Sequence, residues 1–117
     1  MIKSVTWSED AERGLVKSAG DDLDIIKHQV INKQAQLWEC RNDKNHAYIV
    51  TRVEETGTGN ELVLVLGEGS GFMDFAPAFV EAAKNKGMTI RTHVKRPGMI
   101  RLWSRLGLTI NEYVLRA

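Results

Sequence analysis

Five consecutive apolar residues near the middle of the chain constrain its fold more than any other segment. Residues 62–66 read Leu-Val-Leu-Val-Leu, with turn-forming residues at 56–60 before them and glycines after them. A strand that is apolar at every position is typical of the centre of a sheet that is covered on both faces. A helical pattern beginning at Asp74 and a further strand at 88–94 follow. We therefore expect a right-handed parallel crossover beside this central strand.

The segments on either side of this unit predict antiparallel strands and more helices. Residues 2–7 alternate as in a strand, and Ser8 can cap a helical region over 8–33 that is interrupted at Gly20. Strand patterns at 36–41 and 46–55 flank the turn sequence Asn-Asp-Lys-Asn, and a helix over 96–107 and a strand over 109–115 complete the chain. We predict one α/β domain over 1–117. Its mixed sheet has about six strands, mostly antiparallel with one parallel crossover pair, and helices on both faces.

Composition excludes several classes of function. The 117 residues suit one domain, and 43% apolar with 26% charged residues is typical of a soluble globular protein. A net charge of +1 gives no global attraction to nucleic acid or to a membrane surface, and no apolar run approaches the ~20 residues of a membrane helix. The N-terminus lacks the apolar core of a signal peptide, so we expect a cytoplasmic location.

Few residues suggest thiol or metal chemistry. Cys40 is the single cysteine, and we expect a buried thiol on a strand rather than a nucleophile. His28, His46 and His93 are scattered and show no metal-ligand spacing. We therefore expect no metal.

The segment over 96–108, Arg-Pro-Gly-Met-Ile-Arg-Leu-Trp-Ser-Arg-Leu-Gly-Leu, resembles a known helix. This helix closes the GNAT acyltransferase domain, with the common form Asn-x-x-Ala-x-x-Leu-Tyr-x-Lys-x-Gly-Phe. Leu102 and Gly107 fit this form, whereas Arg96, Trp103 and Leu108 stand where the family has Asn, Tyr and Phe. The predicted order of elements is also that of the GNAT fold. The resemblance implies a GNAT-like fold and an acetyl-CoA-dependent N-acetyltransferase acting on a small-molecule amine or a protein.

The sequence Gly-Glu-Gly-Ser-Gly at 67–71 has three competing interpretations. It looks like the glycine-rich motif of class I methyltransferases, but too few residues follow it for a doubly wound sheet. It also occupies the place of the GNAT pyrophosphate loop, without the family's Arg or Gln and with acidic Glu68 and Asp74 nearby. The third interpretation is a tight turn after a central strand. The resemblance implies these cofactor-binding residues: Leu66, Gly67, Gly69, Ser70, Gly71 and Phe72, with Arg96 and Arg101 neutralising phosphate.

Acetyl transfer also needs groups that move protons. Glu54 and Glu55, at the end of the third predicted strand, are the candidate bases, and Glu61 at the start of the fourth is a further one. The GNAT family often uses the Tyr of its last helix as the acid. Trp103 replaces that Tyr here, and an indole N–H cannot donate a proton at neutral pH.

Two functions therefore stay open. The leading one is an N-acetyltransferase-related protein with weakened cofactor and catalytic motifs. The other is a non-catalytic phage or prophage protein on the same fold, virion-associated and with phage protein partners. The missing loop Arg or Gln, the missing Tyr and the short chain favour the second. A C-terminal edge strand over 112–115 would also allow a homodimer to form by sheet extension.

Overall fold

The computed structural model describes residues 1–57, 59–93, 109–111 and 114–116. Up to residue 93 its elements follow the predicted order, and the predicted helix over 96–107 lies outside the described residues. They are β1 (Ile2–Val5), α1 (Glu9–Ala19), a 3₁₀ turn (Gly20–Asp22), α2 (Leu23–Ile31), β2 (Gln36–Arg41), β3 (His46–Thr56), β4 (Gly59–Gly69), α3 (Phe72–Asn85), β5 (Thr89–His93), β6 (Thr109–Asn111) and β7 (Val114–Arg116).

The described strands form one mixed sheet in the order β1-β2-β3-β4-β5-β7-β6. Strands β4 and β5 are parallel and are connected by α3, whereas each of the other neighbouring pairs is antiparallel. This confirms the predicted mixed sheet with one parallel crossover pair. In the described part of the chain no helix is long and apolar enough to cross a membrane.

The C-terminal strand differs from the prediction. The segment predicted as one strand over 109–115 contains two short strands, β6 and β7, which pair with each other. This raises the strand count from about six to seven. Strand β7 also pairs with β5, so the prediction that 112–115 forms a sheet edge is wrong for its described residues. Among the described strands, β6 occupies that edge instead.

The first helices begin and end where their sequence signals predict. The Ser8 hydroxyl accepts a hydrogen bond from the Ala11 amide at 3.2 Å and so caps α1. Gly20 ends α1 with a φ of +54°, a conformation that favours glycine. The 3₁₀ turn then leads into α2, so the predicted interruption at Gly20 is confirmed.

Apolar side chains pack on both faces of the sheet. Helix α3 covers one face, where Phe75 and Phe79 contact Leu64 and its strand neighbours. Helices α1 and α2 cover the other face, where Leu15 and Ile26 pack with residues of β2 and β3. The apolar run in β4 therefore lies in the middle of three layers, as predicted.

Cys40 lies on β2 and is fully buried on the α3 side. Burial raises the pKa of the Cys40 thiol to about 11. The thiol is thus protonated at neutral pH, which agrees with a packing role rather than a nucleophilic one.

Candidate functional site

The glycine segment is mostly strand rather than loop. Gly67, Glu68 and Gly69 continue β4, and each faces a residue of β3. Only Ser70 and Gly71 connect β4 to α3. The long neighbouring strand β3 supplies ladder hydrogen bonds at these positions, and this pairing overrides the low strand propensity of glycine. The expectation of a five-residue loop over 67–71 is therefore wrong.

Helix α3 also begins earlier than expected. Gly71 is its N-cap, with a left-handed φ of +81°, and Phe72 is its first residue. Asp74 lies inside the first turn and not at the cap position, and Pro77 lies in the second turn. The Asp74 carboxylate is thereby free to contact another part of the chain.

The hairpin between β2 and β3 lies directly against this connection. The Ser70 amide donates to the His46 carbonyl oxygen at 3.0 Å, and the His46 amide donates to the Ser70 hydroxyl at 3.2 Å. These two hydrogen bonds join the start of β3 to the residue that follows β4. They fix the position of the turn that precedes α3.

The glycines at 69 and 71 allow this close approach. A Cβ at Gly69 would overlap the His46 carbonyl oxygen and would lie 2.6 Å from the Ala47 Cα. A Cβ at Gly71 would lie 2.7 Å from the Asn45 Nδ2. Both glycines also have positive φ angles. Close packing therefore accounts for both of them without any ligand.

Asp74 holds the β2–β3 loop (residues 42–45) through two amide side chains. One oxygen of its carboxylate, Oδ2, accepts hydrogen bonds from Asn42 Nδ2 at 2.8 Å and from Asn45 Nδ2 at 2.7 Å. Asn42 Oδ1 in turn accepts from the backbone amides of Lys44 and Asn45, which closes the loop on itself. The loop is thus ordered internally and is attached to the first turn of α3.

The surroundings of this turn do not fit a pyrophosphate group. An open depression of about 250 Å³ is lined by Asn42, Asp43, Lys44 and Asp74. A helix N-terminus attracts anions, but the carboxylate of Asp74 already lies in that position. The two negative charges of a pyrophosphate group would lie close to the carboxylates of Asp43 and Asp74. Arg96 and Arg101, the predicted neutralising cations, lie outside the described residues.

Strands β4 and β5 provide a second feature of interest. Their described parallel pairing runs from Glu61↔Thr89 to Leu64↔Thr92, whereas β4 continues for five more residues. The register of β4 against β3 shifts at the same point, leaving Val65 as an extra residue in β4. The bulge brings Val65 and Leu66 both against the α1 and α2 side.

The predicted base Glu54 belongs to a charged group that we call the Arg–Glu cluster (Arg52, Glu54, Glu61 and Arg91). Glu54 accepts from Arg52 Nε at 2.9 Å and from Arg91 Nη2 at 2.6 Å. Partial burial acts to raise the pKa of Glu54, but Arg52 and Arg91 outweigh it and hold that pKa below its ordinary value. A carboxylate held in this way is a weaker base than a free one.

Glu61 and Arg91 are the more buried members of the cluster. The Glu61 side chain is 8% exposed, and its Oε1 lies 3.5 Å from Arg91 Nε. Among the described residues, Arg91 Nε is a buried donor without a hydrogen-bond partner. Glu55, the other predicted base, is exposed and directly follows Glu54 in β3. Its side chain therefore points to the opposite face of the sheet from that of Glu54.

The structure does not bring the predicted bases and the glycine segment together. Glu54 pairs with Glu61 near the start of β4, whereas Gly69 ends the strand. At about 3.3 Å per residue, the eight steps from Glu61 to Gly69 span roughly 26 Å. The assignments of Glu54 and Glu55 as bases, and of residues 66–72 as cofactor contacts, stay predictions. The two bases lie on β3 beside the start of β4, whereas the predicted cofactor contacts lie at and beyond its other end.

A further polar cluster was not predicted. On β2, the Glu39 carboxylate accepts a hydrogen bond from Tyr48 at 3.3 Å and lies 2.9 Å from His46 Nε2. Burial is the largest contribution that raises the pKa of Tyr48, and Glu39 adds to it. The hairpin register could have revealed this cluster, because it places Glu39 opposite Tyr48 with His46 two residues away on the same face. In the described part of the chain, no group of three or more His, Cys, Asp or Glu residues could hold a metal ion.

Comparisons with known proteins agree in fold. No family model matches the chain, and no curated protein matches it. A solved structure from Desulfovibrio desulfuricans, described as a "putative acetyltransferase of the GNAT family", matches 100% of this chain and 97% of its own with a TM-score of 0.69. This chain has the GNAT fold. The sequence identity is 11%, so the likeness establishes the fold and not the activity.

Two more structures support the same conclusion. A "probable acetyltransferase" covers 96% of this chain and 91% of its own, with a TM-score of 0.63 and 9% identity. A tetramutant protein from Bacillus halodurans covers 96% and 95%, with a TM-score of 0.61 and 14% identity. The high coverage in both directions shows that the chain spans nearly the whole length of these neighbours.

Proposed function

We propose that this protein uses the GNAT fold as a non-catalytic scaffold that binds other proteins. The observation that supports this proposal is the contact between the β2–β3 loop and the start of α3. In the GNAT interpretation of the sequence, the glycines before α3 hold the phosphates of acetyl-CoA. Here Gly71 lies against the side chain of Asn45, and the carboxylate of Asp74 occupies the first turn.

Electrostatics supports the same proposal. A pyrophosphate placed at this turn would need backbone amides open to it and positive side chains nearby. The described side chains supply two carboxylates, Asp43 and Asp74, against one ammonium group, Lys44. At the short distances within one helical turn, repulsion between like charges opposes binding.

A scaffold of this kind would act through protein partners. On the expectation drawn from the sequence, these partners are phage or prophage components, and the protein would be virion-associated when assembled with them. A homodimer is a further partner arrangement. Sheet extension in such a dimer would use β6, which is the described C-terminal edge of the sheet.

Acetyl transfer is the second candidate, and one observation favours it. The described pairing of β4 with β5 ends at Leu64↔Thr92, and the bulge at Val65 follows at once. The pantetheine arm of acetyl-CoA would lie along β4 beyond this point, against the backbone of residues 66–72. Arg96 and Arg101 would neutralise the phosphates of the cofactor. The substrate would be a small amine or a protein, and Glu54 or Glu55 would be the base.

Calorimetric titration with acetyl-CoA at low salt separates the two candidates. On the scaffold proposal, the protein shows no saturable heat up to about 1 mM ligand, which corresponds to a binding free energy weaker than about −4 kcal/mol. Stoichiometric binding well below that concentration would refute the proposal and favour acetyl transfer.

Two variants test whether the loop is the cause. Asn45→Gly removes the side chain that lies over Gly71, and Asp74→Asn removes the carboxylate charge while keeping an acceptor oxygen. If loop closure excludes the phosphates, the double variant should bind acetyl-CoA better than the wild type. Asn60→Gly with Glu81→Gln is the matched control, because both residues are exposed and lie away from the loop.

A further inference from the structure

His46 makes two separate contacts, one through its imidazole ring and one through its backbone. Its ring lies 2.9 Å from the Glu39 carboxylate, and its side chain is 41% exposed. Its backbone amide and carbonyl both bond to Ser70, next to the start of α3. A change in the ring contact therefore acts on the same residue that holds the turn before α3.

Glu39 gathers several donors, and His46 supplies the imidazole among them, a type of side chain that in general changes charge near neutral pH. The carboxylate side chain is 15% exposed. The Lys3 ammonium group lies 3.7 Å from Glu39, and the Arg41 guanidinium group lies 3.5 Å from it. Tyr48 donates its hydroxyl proton to Glu39 and stacks edge to face on the His46 ring, with centroids 5.0 Å apart.

Other ionisable groups near the cluster come from three further elements. The negative charge of Asp10 in α1 contributes to raising the pKa of Tyr48, and Glu68 of β4 is the cross-strand partner of Tyr48. Asp74 of α3 accepts a hydrogen bond from Asn45, the residue before His46.

We propose that His46 is a proton-sensitive clasp: protonation of its ring strengthens the contact with Glu39 and holds the β2–β3 loop more firmly against the start of α3. In a hydrogen bond from a neutral imidazole to a carboxylate only the acceptor is charged. With a protonated imidazole both partners are charged, and the contact becomes an ion pair, which is shorter and stronger. Because the ring and the backbone of His46 move together, this gain stabilises the Ser70 hydrogen bonds as well.

The pH range of the clasp follows from Glu39. The hydrogen bond from His46 is the largest contribution that holds the pKa of Glu39 below its ordinary value. Glu39 thus stays ionised over the pH range, at about 6.5, in which a free imidazole takes up a proton. The clasp is weakest at pH 8, tightens toward pH 5 and is lost only when Glu39 itself is protonated.

Amide hydrogen exchange at Ser70 measures the clasp directly, because this amide donates to His46. After correction for the intrinsic exchange rate, we expect protection of the Ser70 amide to rise between pH 8 and pH 5. The expected rise is on the order of twofold to fivefold, the size of a partly exposed ion pair. The rise should disappear in His46→Gln and persist in His28→Gln, in which another exposed histidine is removed.

Two further variants separate the charge of Glu39 from the other carboxylate that holds the loop. Glu39→Gln keeps an acceptor oxygen but removes the charge, so it should abolish the rise even if His46→Gln disturbs the hairpin. Asp74→Asn removes the charge of the loop-binding carboxylate, and the rise should persist in it. An equal rise in the wild type and in Glu39→Gln, or a flat wild-type profile, would overturn the proposal. Neither result bears on whether acetyl-CoA binds, so the clasp and the scaffold function fail independently.

Discussion

The two ends of β4 are held to their neighbours by different means. At its C-terminal end, glycines let the backbone of β3 and the β2–β3 loop come into direct contact with β4 and α3. At its N-terminal end, long charged side chains of the Arg–Glu cluster join β3, β4 and β5. One end depends on the absence of side chains and the other on their presence.

This difference bears on how the glycine segment should be interpreted. A glycine-rich stretch before a helix suggests phosphate binding when only the sequence is considered. Here the close approach of His46 and Asn45 explains Gly69 and Gly71. The charged end, by contrast, contains a buried carboxylate, Glu61, and beside it a buried Arg91 Nε that forms an ion pair at 3.5 Å but no hydrogen bond within the described part of the chain.

The largest effect should come from Gly69→Ala. The new methyl group would overlap the His46 carbonyl oxygen, and alanine would also have to adopt a φ of +127°. Overpacking and backbone strain each cost about 1–3 kcal/mol, so we expect a loss of about 3–5 kcal/mol in the free energy of unfolding, measured by urea denaturation. Gly57→Ala is the control, because a Cβ there meets no described atom within 4 Å. Similar losses in both variants would show that the glycine end is not tightly packed.

The charged end should respond next most strongly, to Arg91→Ala. This change removes the cation between Glu54 and Glu61, and Glu61 is 8% exposed. Breaking a fully buried ion pair costs about 3–5 kcal/mol, and the partial exposure of Arg91 lowers our expectation to about 2–3 kcal/mol. Arg13→Ala, which breaks the exposed pair with Asp10, should cost about 0.5 kcal/mol or less by the same denaturation measurement. A neutral Arg91→Ala would mean that the cluster contributes little to stability.

The sequence predicted the framework of the fold better than it predicted either end of β4. Local patterns were sufficient for β2 at Gln36–Arg41, for the break at Gly20 and for a central strand covered on both faces. The extension of β4 to Gly69 depends on pairing with β3, which overrides the local preference of glycine.

The candidate site was harder to predict because its contacts join distant parts of the chain. Asp74 binds Asn45 across 29 residues, and Arg91 binds Glu54 across 37. Neither contact leaves a periodic signal in the sequence. The sequence shows which residues are polar or charged, but the register of the sheet decides which of them come into contact.

A smaller effect is expected from Asp74→Ala at the glycine end. The variant loses the acceptor of two amide hydrogen bonds at an exposed site, which should cost about 1 kcal/mol in the free energy of unfolding. Glu81→Ala, an exposed carboxylate on the same helix, should change it by less than about 0.5 kcal/mol. Equal effects would mean that the loop contributes nothing measurable to stability, and the contrast between the two ends of β4 would then rest on glycine packing alone.

The smallest effect concerns the pH dependence of the charged end. The two arginines hold the pKa of Glu54 below its ordinary value, so the folded state binds a proton at Glu54 less readily than the unfolded state does. The resulting stability is fully present above the ordinary glutamate pKa of about 4.3 and is lost as the pH falls through the lower folded value. Glu54→Gln should therefore lower stability at pH 7 and flatten its decline below about pH 4.5, as measured by thermal unfolding across pH. Exposed Glu55→Gln should leave that decline unchanged. If both variants gave the wild-type slope, Glu54 would not be held by its arginines in solution, and its prediction as an available base would gain support.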